Sequence, residues 1–202
     1  MVRDSWSVHY SIKETASPDC QKGRSLSLHF DPKTPTLLLH SFTCTNLYVS
    51  TGNSQQATQE RAQLFNKLRR ELREGDHYIL LGDFNFEVDS DDSIDFPHKK
   101  TTIAKGFRDS WESLVKKARI KEVFQPSDTW FAPSHSPTHT NSSRIDRIYI
   151  SEDLFFNNAY EPQANMAFIS HGILGSLGKS GRNNEGFKTY FSDHHPVQLK
   201  FF

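Results

Sequence analysis

Hydrophobic and polar residues alternate in the first part of the chain, which is the pattern of half-buried β-strands. Two alternating runs are present: Val8, Tyr10 and Ile12, then Leu26, Leu28 and Phe30. Three consecutive leucines at 37–39 indicate a strand that is covered on both faces. The pattern therefore predicts three strands in this region, separated by Pro and Gly residues.

Two later segments carry the helical period, in which apolar residues recur every three to four positions. The first covers residues 55–74, where Asn53 or Ser54 can cap the start and Gly75 ends the helix. The second lies near residues 107–118. Their apolar stripes consist of Leu64, Phe65, Leu68 and Leu72, and of Phe107, Trp111, Leu114, Val115 and Ala118.

Three further strands are predicted in the rest of the chain. Tyr78 to Leu81 indicate a buried strand that runs directly into residues 82–85, Gly-Asp-Phe-Asn. Another strand contains Ile145, Ile148 and Ile150, and alternating apolar residues at 197–201 predict the closing strand.

Two segments have the composition of loops. Residues 125–143 are rich in Pro, Ser, Thr and His, and residues 172–186 contain five glycines, which predicts a mobile surface loop. Strands and helices mix along the chain without a strict βαβ period. This organisation predicts a layered α/β fold rather than a doubly wound sheet.

Composition limits the class of protein. The 202 residues fit one domain, and 16 Phe, 6 Tyr and 3 Trp can supply a core although only 35% of residues are apolar. Net charge is zero, so any contact with nucleic acid must use a local patch. The absence of a membrane-length apolar run or signal peptide, together with two cysteines, favours an intracellular location, cytoplasmic or nuclear. No protein partner can be identified.

Acidic, amide and imidazole residues cluster at the ends of predicted strands, where scaffolds place reactive groups. The clusters are residues 82–85 (Gly-Asp-Phe-Asn), 143–147 (Ser-Arg-Ile-Asp-Arg) and 192–196 (Ser-Asp-His-His-Pro). In the first, Asp83 can orient or deprotonate a water, and Asn85 can contact a phosphate oxygen or ligate a metal. The alternative interpretation, of about equal weight for this cluster alone, is that Asp and Asn only open a turn.

The other two clusters add a carboxylate–imidazole combination. Asp193 is a hard-cation ligand beside His194, and Asp146 can hydrogen-bond that imidazole and hold its tautomer. The alternative for Asp146 is an ion pair with Arg144 or Arg147. For each of these arginines, solvated strand-end charge is favoured over phosphate contact.

Several other kinds of site are poorly supported. The sequence has no Gly-x-Ser-x-Gly elbow, no phosphate loop with correct spacing and no His-Glu-x-x-His zinc motif. The basic residues between 60 and 73 could face phosphate, but an ordinary solvated helix face is favoured because glutamates alternate with them.

The order of four motifs resembles the endonuclease/exonuclease/phosphatase superfamily, whose fold is that of deoxyribonuclease I. The motifs are Tyr48, then Leu-Leu-Gly-Asp-Phe-Asn at 80–85, Arg-Ile-Asp-Arg-Ile at 144–148, and Ser-Asp-His-His-Pro at 192–196. Within it, residues 128–131, 138–140 and 143–149 are similar to the endonuclease domains of non-LTR retrotransposons. The resemblance covers roughly residues 20–202.

The resemblance implies a fold, a cofactor and a partner. The fold would be a four-layer α/β sandwich of two mixed β-sheets flanked by helices, here N-terminally truncated, with residues 1–202 forming one partial domain. The cofactor would be Mg²⁺, with Mn²⁺ as an alternative, and the substrate would be DNA.

The resemblance also implies site roles. Tyr48 would contact the scissile phosphate, Asp83 would position the attacking water, and Asn85 would hold phosphate or a second metal position. Asp146 would orient His194, which stabilises charge on the phosphate. Asp193 would bind Mg²⁺, and Thr140 and Arg144 would lie near substrate.

The sequence departs from the superfamily pattern in its first part. No Asn precedes Asn46, and Glu14 lacks the Gln-Glu context of the principal metal ligand. We therefore expect a fragment with weak or no activity on its own and poor solubility. Two alternatives remain open. One is a phosphomonoesterase or RNA-processing member of the superfamily, although Ile145 argues against a phosphatase. The other is an inactive DNA-binding remnant.

Overall fold

The computed structural model describes residues 4–15, 24–34, 40–52, 54–72, 76–86, 93–94, 105–123, 129–131, 142–152, 181–182 and 188–189. Within these ranges, the helices are α1 (Asp4–His9), α2 (Gln55–Glu71) and α3 (Lys105–Ala118). The strands are β1 (Tyr10–Thr15), β2 (Ser25–Pro32), β3 (Phe42–Tyr48), β4 (Tyr78–Asp83), β5 (Ser93–Ile94), β6 (Ile120–Glu122), β7 (Trp130–Phe131), β8 (Ser142–Ser143), β9 (Asp146–Ser151), β10 (Gly181–Arg182) and β11 (Lys188–Thr189).

A mixed six-stranded sheet organises the described residues, in the order β1-β2-β3-β4-β9-β6. Neighbouring strands are antiparallel except β3 and β4, which are parallel and are joined through α2. A parallel pair needs such a crossover, because both strands must start at the same end of the sheet. The short strands form a three-stranded sheet, β5-β8-β7, and a β10-β11 pair.

Both faces of the large sheet are apolar. The face that carries Leu47, Leu80 and Tyr149 packs with residues of α2 and α3, and its aromatic rings meet mostly edge to face at 4.8–5.9 Å between centroids. The opposite face gathers a second cluster that includes Phe30 and Phe42, stacked at 4.6 Å. The large sheet therefore separates two apolar cores.

Cys44 lies in β3, on the face of the second cluster, between Leu28 of β2 and Ile79 of β4. Its thiol is free, and its burial raises the pKa of Cys44 to about 11. A desolvated thiol resists ionisation because the thiolate loses its hydration.

The α/β class and most of the predicted elements are confirmed. Helix α2 begins where its cap was predicted, since the Ala57 N–H donates to Ser54 Oγ at 3.1 Å. It ends at Glu71 rather than near Gly75, because Leu72 adopts an extended backbone and is buried in the core. Only one large sheet lies within the described residues, so the second sheet of the expected sandwich stays a prediction.

Three details of the sequence interpretation are wrong. Val8 belongs to α1 rather than to a strand, and 67% of its surface is exposed. It is therefore not a buried strand position, as its alternation with Tyr10 and Ile12 had indicated. Within β2, Leu26 is 46% exposed, and Ser25 and Ser27 are buried on the helix side instead. The segments assigned to loops also contain β7, β8 and β10, whose two-residue lengths leave no periodicity to detect.

Some predictions lie outside the described residues. These are the three leucines at 37–39, the closing strand at 197–201 and most of the glycine-rich segment. In the part of the chain that is described, no helix combines the length and the apolar character needed to cross a bilayer.

Candidate active site

Three of the predicted site residues occupy one row across the large sheet. Tyr48 at the end of β3 pairs with Asp83 at the end of β4, and Asp83 pairs with Asp146 at the start of β9. Paired positions on neighbouring strands place side chains on the same face, with Cβ atoms about 4.5–5.5 Å apart. A phenol and two carboxylates from three separate segments therefore meet at one end of the sheet.

Gly82 allows β3 and β4 to approach closely beside this row. Its φ is +129°, and a Cβ atom there would lie 2.1 Å from Leu47 O and 2.8 Å from Leu47 N. Both neighbours are backbone atoms that cannot turn aside. The sequence interpretation, in which Gly82 permits an unusual backbone angle before Asp83, is confirmed.

Asn85 locks the carboxylate of Asp83. The Asn85 N–H donates to Asp83 Oδ1 at 2.9 Å, and Asn85 Nδ2 donates to Asp83 Oδ2 at 2.8 Å and to Val49 O at 2.9 Å. The Asn85 φ of +52° lies in the left-handed region, which Asn tolerates better than most residues. Both oxygens of Asp83 thus accept a hydrogen bond, and its position is fixed.

The contacts of Asn85 limit what its side chain can bind. Both amide hydrogens can be accounted for by Val49 O and Asp83 Oδ2. The carbonyl Oδ1 accepts no hydrogen bond among the described contacts. An acceptor oxygen suits a cation or a water rather than a phosphate oxygen, so this arrangement favours the metal-ligand option for Asn85 over the phosphate-donor option.

Phe84 anchors the segment between these two residues. Its side chain is fully buried among Trp111, Tyr149 and Phe86, and its N–H donates to Ile145 O at 2.9 Å. The packed ring of Phe84 therefore fixes the backbone between Asp83 and Asn85, which do not lie on a loosely held loop.

Thr129 holds the start of β9 and is a residue that the sequence interpretation missed. Its side chain is buried, and its Oγ1 accepts hydrogen bonds from the Ile145 N–H at 3.1 Å and the Asp146 N–H at 2.9 Å. The Thr129 N–H donates to Ser143 O at 3.0 Å. The motif at 128–131 drew attention to this region, but the contacts span 16 and 17 positions, which no local pattern reveals.

Replacing Thr129 by Val should destabilise the protein by about 1–3 kcal/mol, because two buried N–H groups lose their acceptor without a change in side-chain shape. Thr129→Ser keeps the acceptor and should lose less than half as much. Chemical denaturation of the three proteins measures both effects. A smaller loss for Val than for Ser would show that the methyl group, and not the hydroxyl, is what matters.

A buried ion-pair network lies on the opposite side of β9. Glu122 accepts from Arg144 and, at 3.0 Å, from Arg147 Nη1, and both arginine side chains are almost fully buried. The interpretation of these arginines as solvated strand-end charge is wrong, since burial at this depth requires a partner. The proposed contact of Arg144 with substrate stays a prediction, and its observed partner is Glu122.

Arg61 of α2 is also buried rather than solvated. Its Nη1 donates to Ser50 O at 2.8 Å and to Gly52 O at 2.7 Å. The preference for an ordinary solvated helix face is therefore wrong for this residue. Its guanidinium ties the segment after β3, which follows Tyr48, to the start of α2.

The remaining predicted site residues lie outside the described residues. These are Thr140, Asp193 and His194, so the orientation of His194 by Asp146 and the metal role of Asp193 stay predictions. Within the described ranges, no group of three or more His, Cys, Asp or Glu side chains could hold a metal ion. Mg²⁺ commonly binds a protein through only one or two carboxylates and keeps several waters. The Oδ1 of Asn85 can therefore serve as one ligand beside the carboxylate predicted at Asp193.

A mixed sheet that packs α2 and α3 on one face defines a layered α/β protein, and Asp83 and Asp146 lie side by side at one end of that sheet. The chain belongs to the Endonuclease/Exonuclease/phosphatase family, whose model matches residues 8–194. None of the curated proteins compared with the chain matches it.

Solved structures share the fold at low sequence identity. The endonuclease domain of TRAS1, a telomere-specific non-LTR retrotransposon, is 10% identical with a TM-score of 0.53, over 95% of this chain and 68% of that one. The 3′ phosphatase NExo from Neisseria is 17% identical with a TM-score of 0.55, over 95% and 70%. An AP endonuclease from Archaeoglobus fulgidus is 12% identical with a TM-score of 0.54, over 100% and 83%. These values confirm the fold and the similarity to a retrotransposon endonuclease.

Proposed function

We propose that this protein hydrolyses phosphodiester bonds of DNA with Mg²⁺ as cofactor, as an endonuclease of the retrotransposon type. The observation that carries the proposal is the direct pairing of Asp83 with Asp146 on β4 and β9. Like charges opposite each other destabilise a sheet, so two carboxylates at paired positions are better explained by a cationic ligand or a catalytic task than by folding.

Each described residue of the row has a role in this proposal. Asp83, with its carboxylate held by Asn85, orients the attacking water and accepts its proton. Tyr48 is 48% exposed, so its phenol is available to contact the scissile phosphate. Asp146, whose backbone is held by Thr129, orients His194, and the imidazole stabilises charge on the phosphate.

The residues that would hold Mg²⁺ are Asn85, through its Oδ1, and Asp193. When bound, the ion polarises a phosphate oxygen and offsets the negative charge of the reacting group. Hard oxygen donors of this kind match Mg²⁺, and Mn²⁺ would be accepted by the same ligands.

A substrate comparison tests the proposal. The purified protein is incubated with supercoiled plasmid, poly(A) and an inositol polyphosphate, each with Mg²⁺, with Mn²⁺ and with excess chelator. We expect slow nicking of the plasmid, because the Gln-Glu motif of the principal metal ligand is missing, and the chelator should abolish it. Turnover of the other substrates should be at least tenfold slower still. Faster hydrolysis of poly(A) or of the inositol phosphate would contradict the proposal, and so would tight DNA binding without any hydrolysis.

A further inference from the structure

Arg24 extends the row of site residues by one strand. The Tyr48 N–H donates to Arg24 O at 2.8 Å, which continues the β2–β3 pairing by one position beyond Ser25 and Leu47. The order across the sheet is therefore Arg24, Tyr48, Asp83 and Asp146. A cation, a phenol and two carboxylates follow one another on adjacent strands.

The guanidinium of Arg24 lies over the ring of Tyr48, with Cζ 5.5 Å from the ring centroid. Its Nη1 is buried and makes no hydrogen bond to the part of the chain that the structure describes. Nη2 is 4.0 Å from Glu60 Oε2, an oxygen that also accepts from Ser50 Oγ at 2.6 Å. Arg24 therefore has one donor without a partner among the described residues and one ion pair as long as 4.0 Å.

The other arginines described near the row are differently placed. Arg144 and Arg147 share the carboxylate of Glu122, and Arg61 donates to two backbone carbonyls. All three are buried, whereas the side chain of Arg24 is 30% exposed. Arg24 thus combines exposure, positive charge and a position in the row.

We propose that Arg24 binds a backbone phosphate next to the one that is hydrolysed, an inference that rests on the proposed function. Strands lie about 4.8 Å apart, which places Arg24 roughly 10 Å from Asp83 across β3. At that distance its guanidinium reaches beyond the reacting group to a neighbouring phosphate of the same nucleic acid. Stacking on Tyr48 holds its planar fork in one orientation, which favours a bidentate contact.

The proposal requires that Arg24 contribute to the binding of long substrates more than to the rate of the chemical step. Duplex DNA carries neighbouring phosphates, while bis(4-nitrophenyl) phosphate is a diester with a single phosphate. Losing a contact with a neighbouring phosphate should therefore lower activity on DNA selectively. A role confined to orienting Tyr48 would affect both substrates alike.

The experiment compares wild type, Arg24→Gln, Arg24→Lys and Arg70→Gln on both substrates at several salt concentrations. Arg70 is the control because it is an exposed arginine in the last turn of α2. That end of the helix precedes the start of β4, whereas the row lies at the end of β4. For Arg24→Gln we expect the ratio of kcat/KM on DNA to that on the small diester to fall about tenfold, mainly through KM. The slope of log affinity for DNA against log salt should also fall by about one.

The outcomes separate the possible roles. Arg24→Lys should recover part of the ratio, since it keeps the charge but not the fork. The proposal is overturned when Arg24→Gln has the same ratio and salt slope as Arg70→Gln, or when both substrates lose activity equally. If the wild-type protein hydrolyses neither substrate, the proposed function itself fails, and that result differs from a failure of Arg24 alone.

Discussion

Asp83→Ala should lower the rate of DNA hydrolysis by about 10²–10⁴-fold, because the variant removes the group that orients and deprotonates the attacking water. The backbone at this position is held independently of the side chain. Val49 N–H donates to Asp83 O at 2.9 Å, and the buried Phe84 follows immediately. Plasmid nicking under single-turnover conditions measures the loss, and the thermal midpoint shows that the sheet remains folded.

A matched control separates this effect from general damage. Asp76 lies just before the start of β4, at the opposite end of the same strand, where its Oδ2 accepts from the Tyr78 hydroxyl at 2.6 Å. Asp76→Ala removes one carboxylate and one hydrogen bond but should leave the nicking rate within about twofold. If Asp83→Ala nicked DNA at the wild-type rate, Asp83 would have no catalytic role. The pairing of two carboxylates would then not be explained by catalysis.

Glu122→Ala should destabilise the protein by about 3–5 kcal/mol, because it leaves two buried guanidinium groups without their shared carboxylate. Arg147 is fully buried and Arg144 nearly so, and both therefore lose their carboxylate inside the protein. Chemical denaturation, followed by circular dichroism, gives the free energy of unfolding.

Glu152 provides a close comparison for Glu122. It also pairs with two cations, Arg119 at 3.1 Å and Lys121 at 3.3 Å, but these side chains are about half exposed. Glu152→Ala should therefore destabilise the protein far less than Glu122→Ala, because water and salt screen an exposed ion pair. Similar losses for the two variants would show that burial does not set the strength of the Glu122 network.

Local pattern was enough to predict most of the elements that position the site, but not β3, which carries Tyr48. The apolar stripe and Ser54 located the start of α2, and the buried run before Gly82 located β4. Gly82 could be singled out because a glycine between a buried strand and an acidic residue indicates a backbone angle or a close approach that a side chain would prevent. These features depend on residues a few positions apart, where sequence determines geometry most directly.

Contacts between distant segments could not be predicted in the same way. Glu122 reaches arginines 22 and 25 positions away, and Arg61, on the buried stripe of α2, reaches backbone carbonyls nine and eleven positions away. Which strands pair, and in which register, decides these contacts. The sequence motifs therefore singled out Tyr48, Asp83 and Asp146, but only the strand pairing shows that the three residues lie side by side.

The thiol of Cys44 gives the protein an internal probe of the packing over one face of its large sheet. The thiolate is the form that alkylating reagents attack, and a pKa of about 11 leaves roughly a hundredfold less of it at neutral pH than an unperturbed thiol would have. Carboxamidomethylation at Cys44 will therefore be slow while the second apolar cluster stays packed, and it will accelerate when that cluster opens. Peptide-resolved labelling rates can follow that opening without any added reporter group.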